Sequence, residues 1–269
     1  MRYGSSPMTN FETLSPKKLR AACRDGTFDG PTSGYAPGIV QANMVILPSS
    51  YAHEFEEFCI RNPQPCPVLE VLKPGVFELN DIASKADIRT DLPRYRVFRD
   101  GEFQYEPTDI LDLWKQDLVT FFLGCSFVAE DALLKAGLLL PHISETGFVP
   151  MYRTTVSCES AGRFEGTMVV SMRPFELEEA ERAADITKHY PMAHGAPVHI
   201  GDPAILGIED LKNPDFGEPV SIKSGQVPVF WACGVTPQVA IANAKPPLAI
   251  THAPGHMFIT DITSESTRI

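Results

Sequence analysis

The segment 227–261 constrains the fold most strongly, because apolar runs alternate there with clear helix signals. Residues 227–232 are β-branched and aromatic and too few for a helix, so they predict a buried strand. Thr236 and Pro237 suit a helix N-cap and the first helical position. Cys233 is therefore expected where a strand meets a helix start, whose unpaired N–H groups favour an anion or a thiolate. A small, inert, buried cysteine is the alternative.

Further signals predict the remaining elements. They indicate a strand at 44–47, a helix at 49–61, a strand at 68–72, a hairpin at 95–105, paired strands at 151–157 and 168–173, and a helix at 176–189. The first three form a strand–helix–strand unit, which predicts a parallel crossover. The expected fold class is therefore α/β, with a mixed, partly parallel sheet domain and an inserted smaller α+β domain. We place the larger, discontinuous domain at 1–88 and 190–269, and the smaller one at 89–189.

Composition narrows the classes of partner. The net charge of −11 argues against nucleic acid and anionic membranes, which leaves small molecules as the expected partners. No apolar window is long enough to cross a bilayer, and the N-terminus lacks the apolar core of a signal peptide, so a cytoplasmic location is expected. The six cysteines include no CxxC pair, which indicates reduced thiols. Without GxGxxG or GxxxxGK[ST], no nucleotide cofactor is expected, and a homo-oligomer is left open.

Four of the seven histidines lie in two groups: His194 and His199 near Asp202, and His252 and His256 before Asp261. A Pro-Gly pair separates the last two histidines, so that segment is expected to turn, and the helical zinc pattern does not apply. Loop imidazoles beside buried strands are typical general acid–base groups. The alternative is that individual rings merely bond to loop carbonyls.

Three arginines are candidates for binding a carboxylate group. Arg89, Arg153 and Arg173 lie at or near the predicted strands, where a guanidinium could hold a carboxylate through two hydrogen bonds. Structural ion pairs are the alternative for each of them. The run around Cys125 and Ser126 looks like a nucleophile turn but lacks the GxSxG spacing, so it is expected to be core or a pocket wall.

Seven long blocks along the chain carry a family resemblance. They are GYAPGIVQANMVILP (34–48), DIRTDLPRYRVFRDGE (87–102), VTFFLGCSF (119–127), MVVSMRP (168–174), HGAPVHIGDP (194–203), VPVFWACGVTPQ (227–238) and ITHAPGHMFITD (250–261). Together they resemble the D-glutamate cyclase family, whose bacterial members are labelled hydro-lyases. The resemblance implies a hydro-lyase (a carbon–oxygen lyase) acting on a small amino or hydroxy acid, with D-glutamate cyclising to 5-oxo-D-proline and water. A hydratase or lactam-opening enzyme, and a non-catalytic small-acid binding or sensing module, are the alternatives.

Roles for residues follow from this chemistry. The candidate catalytic residues are His194, His199, Asp202, Cys233, His252 and His256. The candidate substrate-binding residues are Arg89, Arg153, Arg173, Thr236 and Asp261. Histidines would supply the acid and the base, with an aspartate fixing each ring tautomer, and an arginine would hold the carboxylate of the substrate. A divalent metal on His and Asp is left open. All these groups are expected to surround one acid-sized cavity.

Overall fold

The computed structural model describes residues 11–269 and contains six α-helices and thirteen strands over that range. The helices are α1 (Pro16–Arg24), α2 (Ser49–Arg61), α3 (Phe127–Lys135), α4 (Pro141–Glu145), α5 (Leu177–Thr187) and α6 (Thr236–Ala244). The strands are β1 (Ile39–Pro48), β2 (Val68–Val71), β3 (Glu78–Leu79), β4 (Ala86–Asp87), β5 (Tyr95–Arg99), β6 (Glu102–Tyr105), β7 (Leu118–Leu123), β8 (Met151–Ser157), β9 (Thr167–Glu176), β10 (His199–Ile200), β11 (Gln226–Ala232), β12 (Ala249–His252) and β13 (Phe258–Thr263). Within this range, no helix has the length and apolarity needed to cross a membrane.

Two larger sheets organise the strands. Seven strands form the first sheet in the order β2-β7-β1-β12-β5-β6, with β13 also paired to β1. Four strands form the second sheet in the order β10-β11-β9-β8, and β3 pairs with β4 separately. The predicted α/β class is thus confirmed.

The predicted crossover forms, since β1 and β2 both run antiparallel to β7 and therefore parallel to each other, but the prediction of directly paired parallel strands is wrong. Every strand pair found in residues 11–269 is antiparallel. The unit β1–α2–β2 does form, but β7 lies between its two strands and pairs with both. Because β7 begins at Leu118, far beyond that unit in the sequence, the local pattern that predicts a crossover gives no sign of it.

The predicted hairpin forms at its Asp-Gly turn. Asp100 and Gly101 both have positive φ, 52° and 82°, as the favoured two-residue hairpin turn requires. Strand β5 also pairs with β12, so this hairpin belongs to the seven-stranded sheet. All strands of the four-stranded sheet come from residues 151–232. The division of the chain into two domains stays a prediction.

Strand β1 runs through the centre of the first sheet and is buried on both faces. Met44 and Ile46 pack into one apolar cluster, whereas Val45 and Leu47 pack into another on the opposite face. This two-sided burial explains its nearly continuous apolar sequence. The neighbouring β7 pairs with β1 along its whole length, from Leu118 to Leu123.

Candidate active site

Two strand–helix junctions meet beside strand β1. The first junction, residues 124–126, joins β7 to α3, and the second junction, residues 233–235, joins β11 to α6. Asn43 on β1 lies between them: its Nδ2 donates to the carbonyl of Gly124 at 2.6 Å. A Cβ on Gly234 would lie only 2.5 Å from the same nitrogen. The two junctions therefore approach each other so closely that Gly234 cannot be replaced without a shift.

The second junction is tied to strand β9. The backbone N–H of Cys233 donates to the carbonyl of Val169 at 2.9 Å. The Thr236 hydroxyl accepts from the Val169 N–H at 2.9 Å and donates to its carbonyl at 3.2 Å. The predicted helix start is correct, but Thr236 as its N-cap is wrong, since Thr236 is the first helical residue and Val235 precedes it as the cap. The hydroxyl proton is thus engaged, and Thr236 could donate to a substrate only by giving up the Val169 carbonyl.

Both junctions carry a thiol. Burial raises the pKa of Cys233 to about 11 and that of Cys125 to about 12. The backbone N–H groups of Val235 and Phe127 donate to the two sulfurs, and Arg173 favours both thiolates, but burial outweighs these effects. The expectation of a thiolate at Cys233 is therefore wrong, because both groups are neutral thiols near neutral pH.

A buried arginine lies next to the first junction. Arg173 on β9 is 2% exposed. Its Nε donates to Glu130 Oε1 at 3.2 Å and its Nη2 also bonds to that oxygen. Nη1 donates to Ser171 Oγ at 3.0 Å, and Nη2 to Ser126 Oγ at 3.3 Å. His142 Nε2 lies 3.3 Å from Glu130 Oε1. We call these five residues the arginine centre.

The arginine centre holds an ionised pair. Burial opposes the charge on Glu130, but the guanidinium of Arg173 and the bond from His142 outweigh it and lower the pKa of Glu130 to about 2. Glu130 thus keeps Arg173 in place and balances its charge. Removal of either partner would leave an uncompensated charge in the interior.

His194 lies near the arginine centre. It is 1% exposed, and its Nδ1 lies 2.8 Å from the carbonyl of Gln64. Because a carbonyl only accepts, Nδ1 carries the proton and Nε2 the lone pair. Burial and the charge of Arg173 lower the pKa of His194 to about 4, despite the bond to Gln64. Among the described residues no hydrogen bond occupies Nε2, so His194 presents a neutral basic nitrogen.

The second histidine group lies elsewhere. His252 on β12 is 3% exposed, and its Nδ1 lies 3.2 Å from the backbone nitrogen and 3.4 Å from the carbonyl oxygen of Met44. Burial lowers its pKa to about 4, and the charges of His256 and Arg96 act in the same direction. His256 Nδ1 donates to the carbonyl of Pro254 at 2.8 Å. The neighbours of this pair thus include β1, Arg94 and Arg96, not the arginine centre.

His199 contacts the backbone of Asp202 and not its carboxylate. His199 Nε2 donates to the backbone carbonyl of Asp202 at 2.8 Å, while its ring stacks on Phe230. The carboxylate of Asp202 instead accepts from the N–H of Ala204 at 3.0 Å and caps a short 3-10 turn. The prediction that this carboxylate fixes the ring tautomer is wrong.

The remaining candidates occupy ion pairs. Arg89 pairs with Asp87 at 2.7 Å, and Arg153 pairs with Asp215 at 3.8 Å. Asp261 pairs with Arg20 at 2.9 Å. The structure therefore brings together Arg173, His194, Cys233 and Thr236. It places His199, Asp202, His252, His256, Arg89, Arg153 and Asp261 in other surroundings.

The arginine centre does not enclose an acid-sized cavity in this conformation. The cavity at the arginine centre is lined mainly by Ser126, Glu130, Arg173, Thr187 and Trp231, and is about the size of one water molecule. Over residues 11–269, no three His, Cys, Asp or Glu side chains are grouped so as to hold a metal ion. The side chains therefore give no support to the metal that the sequence left open.

Sequence reasoning missed several residues of the site. Glu130, His142, Ser171 and Asn43 were not expected, and Ser126 was taken for a core or pocket-wall residue. One signal was present: Ser126 and Glu130 are four residues apart at the start of a helix, and so share one face. A buried arginine needs such a carboxylate.

Comparison with known proteins covers the same region. The family model described as D-glutamate cyclase matches residues 119–261, more than half of the chain. The chain belongs to the D-glutamate cyclase family. A relative from Geobacillus kaustophilus is 54% identical over 96% of this chain and 98% of its own length. A relative from Stutzerimonas stutzeri is 54% identical over 96% of this chain and 97% of its own length. A third, from Staphylococcus carnosus, is 52% identical over 95% of this chain and 97% of its own length. All three are named "Putative hydro-lyase".

The segment matched by the D-glutamate cyclase model contains the site almost completely. Both junctions, the arginine centre and His194 lie within residues 119–261. Only Asn43 and Gln64, which support the junctions and His194, precede it. The family resemblance predicted from the long sequence blocks is thus confirmed.

Proposed function

We propose that this D-glutamate cyclase family member is a hydro-lyase that acts on a small amino or hydroxy acid at the arginine centre. Its specific reaction would be the cyclisation of D-glutamate to 5-oxo-D-proline with loss of water. The observation that carries this proposal is the neutral His194, with an unoccupied Nε2, in the neighbourhood of the buried Arg173. The names of the relatives support a lyase reaction, and the family model supports the substrate.

The reaction needs a base, a proton donor and positive charge. The amine nitrogen attacks the side-chain carboxyl carbon, an N–C bond forms, and a C–O bond breaks. The two protons that the ammonium nitrogen loses are those that the departing oxygen gains as water. In this proposal His194 Nε2 accepts a proton from the attacking amine, because it is neutral at working pH and buried beside the site.

Arg173 and the two helix starts would bind the carboxylate. Nη1 of Arg173 donates to Ser171 alone, so one N–H remains, and a carboxylate that displaces Ser126 Oγ from Nη2 would meet two donors. Glu130 balances the guanidinium charge. The helix starts of α3 and α6 would therefore supply much of the attraction for an anion.

Substrate binding would also require the site to open. The cavity holds about one water molecule, and His142 of α4 contacts Glu130 from one side. Movement of the segment that carries α4 would widen this cavity. The conformation described above would then be the closed one.

A turnover assay tests the proposal. Purified protein is incubated with D-glutamate, L-glutamate and related amino and hydroxy acids, with and without Mg²⁺ or Mn²⁺, and products are identified by chiral chromatography and mass spectrometry. The expected result is 5-oxo-D-proline from D-glutamate. The same assay started from 5-oxoproline distinguishes cyclisation from lactam opening. Folded protein that converts nothing in either direction would reject the proposal.

A small-acid binding or sensing module is the second candidate. Its support is the buried Arg173, whose guanidinium can bind a carboxylate without any reaction following. D-glutamate would then raise the melting temperature without being consumed. An Arg173→Lys variant should lose that stabilisation, whereas Arg153→Lys, on a neighbouring strand, should keep it.

A further inference from the structure

We propose that Gln64 is a positioning residue for His194, which holds the imidazole in one tautomer and keeps the turn around it against the first junction. In this role Gln64 does not touch the substrate and acts only through the histidine. The effect on turnover rests on the proposed function, whereas the effect on the ring does not. Gln64 was not among the candidates that the sequence supplied.

Gln64 holds His194 through both its backbone and its side chain. The ring Nδ1 of His194 lies 2.8 Å from the backbone carbonyl oxygen of Gln64. In the other direction, the side-chain amide of Gln64 donates to the backbone carbonyls of His194 at 3.2 Å and of Ala196 at 2.8 Å. One residue therefore fixes the imidazole and also the backbone that carries it.

The backbone of His194 has a conformation that needs such support. Its φ is 73°, in the left-handed region that residues other than glycine rarely adopt. A strained conformation of this kind persists only where the surrounding contacts impose it. The N–H groups of Ala193 and Gly195 both donate to the carbonyl of Tyr190, which closes the turn from within. The bonds from Gln64 hold the same turn from outside.

Gln64 itself lies in a stiff stretch of chain. Three prolines alternate with Gln64 and Cys66 over residues 63–67. Each proline fixes its own φ and restricts the residue before it. The backbone N–H of Cys66 donates to the carbonyl of Asn62 at 3.0 Å, which closes this stretch on itself. Because Gln64 has so little freedom, it is suited to set the position of a second group.

The same stretch is also bonded to the first junction. The carbonyl of Pro67 accepts from the N–H of Gly124 at 2.8 Å. A Cβ on Gly124 would lie only 1.6 Å from the carbonyl oxygen of Met192, two residues before His194. The turn that carries His194 therefore packs directly against the junction backbone. Residues 62–67 thus support both the histidine and the chain that leads into the arginine centre.

Gln41 on β1 offers a matched control. Its side-chain amide also donates to two backbone carbonyls, those of Thr32 at 3.1 Å and Tyr35 at 2.9 Å, both in the loop before β1. Gln64→Ala and Gln64→Met each remove the two amide bonds and leave the backbone carbonyl in place. Methionine keeps the length of the side chain, so it serves where alanine does not fold. Gln41→Met removes the same number of bonds away from His194.

NMR of the ring nitrogens reports the tautomer without any turnover. At pH 7 the wild-type protein should show His194 with a protonated Nδ1 and an unprotonated Nε2, and the loss of these signals in His194→Asn assigns them. Both Gln64 variants should mix the two tautomers, which moves the two nitrogen signals towards each other. Gln41→Met should leave the signals of His194 unchanged.

Turnover of D-glutamate gives the second measurement. Gln64→Met should lower kcat about 10-fold and change KM less than twofold, because a misplaced base slows proton transfer while Arg173 stays in place. Gln41→Met should keep kcat within about twofold of wild type.

The two measurements separate this inference from the proposed function. If the wild-type protein converts no acid but the Gln64 variants mix the tautomers, the proposed function fails and the positioning of His194 stands. If the protein is active and both Gln64 variants keep the wild-type ring signals, the positioning is overturned and the proposed function survives. A lower kcat with unchanged ring signals also overturns it, because Gln64 would then support only the fold.

Discussion

Two buried histidines show what separates a reactive group from a structural one. Burial lowers the pKa of both His194 and His252 to about 4, and both rings bond to backbone. In His252 the ring contacts the backbone N–H and carbonyl of Met44 on β1, and its charged neighbours are His256 and Arg96. In His194 the Nδ1 proton is donated to Gln64, which leaves Nε2 available near Arg173. The neighbours of the ring, rather than its pKa, distinguish the two.

The largest expected effect comes from separating the buried ion pair. Arg173→Met should destabilise the protein by about 3–5 kcal/mol, because Glu130 would keep a buried charge without a partner. The double variant Arg173→Met with Glu130→Leu should recover most of that stability but no activity. Urea unfolding and the turnover assay measure the two effects separately. Arg153→Met, at an exposed ion pair, is the control and should cost less than about 0.5 kcal/mol.

Full activity in the Arg173→Met, Glu130→Leu variant would contradict the role of the arginine centre. Failure of the double variant to recover stability would instead show that the pair also supports the fold through its bonds to Ser126 and Ser171.

A smaller effect should appear in the dependence of stability on pH. His194 and His252 stay neutral in the folded chain down to a pH of about 4, whereas an unfolded histidine binds a proton below about 6.5. Each therefore contributes stability that is present above pH 6.5 and lost as the pH falls towards 4. His252→Asn should remove roughly 2 kcal/mol of the loss between pH 7 and pH 5. Urea unfolding at both pH values checks this, and an unchanged pH dependence would refute the buried neutral ring.

The smallest effect is expected at the 3-10 turn after β10. Asp202→Ala removes the cap on the Ala204 N–H and should cost about 1 kcal/mol or less. Because the carboxylate contacts backbone rather than the ring of His199, kcat should be unchanged. A kcat loss of 10-fold or more in a folded variant would return Asp202 to the candidate site.

The sequence predicted those features that depend on neighbouring residues. The strand and helix of 227–244, the Asp100–Gly101 turn and the elements β1, α2 and β2 all follow from local patterns. Long blocks also predicted the family. The position of β7 between β1 and β2 could not be predicted in this way, because the pairing joins residues far apart in the chain.

The site was predicted only in part for the same reason. Arg173, His194 and Cys233 were identified from their residue types and positions, but the expectation of one shared cavity also included loops that fold elsewhere. The contact of Asn43 with both junctions depends on three separated segments. Likewise, the backbone groups that a histidine ring meets come from another strand or loop. Single-sequence reasoning does not specify such contacts.

The most direct test compares the two buried histidines in one assay. His194→Asn and His252→Asn are chosen because asparagine tolerates the positive φ of His194, 73°, and can still bond to backbone at both positions. The rate of 5-oxo-D-proline formation from D-glutamate is measured for both variants and the wild-type protein. We predict that His194→Asn lowers kcat at least 100-fold, while His252→Asn keeps it within about threefold of wild type. Full activity in a folded His194→Asn variant, or loss of activity only in His252→Asn, would contradict the assignment of the chemistry to the arginine centre.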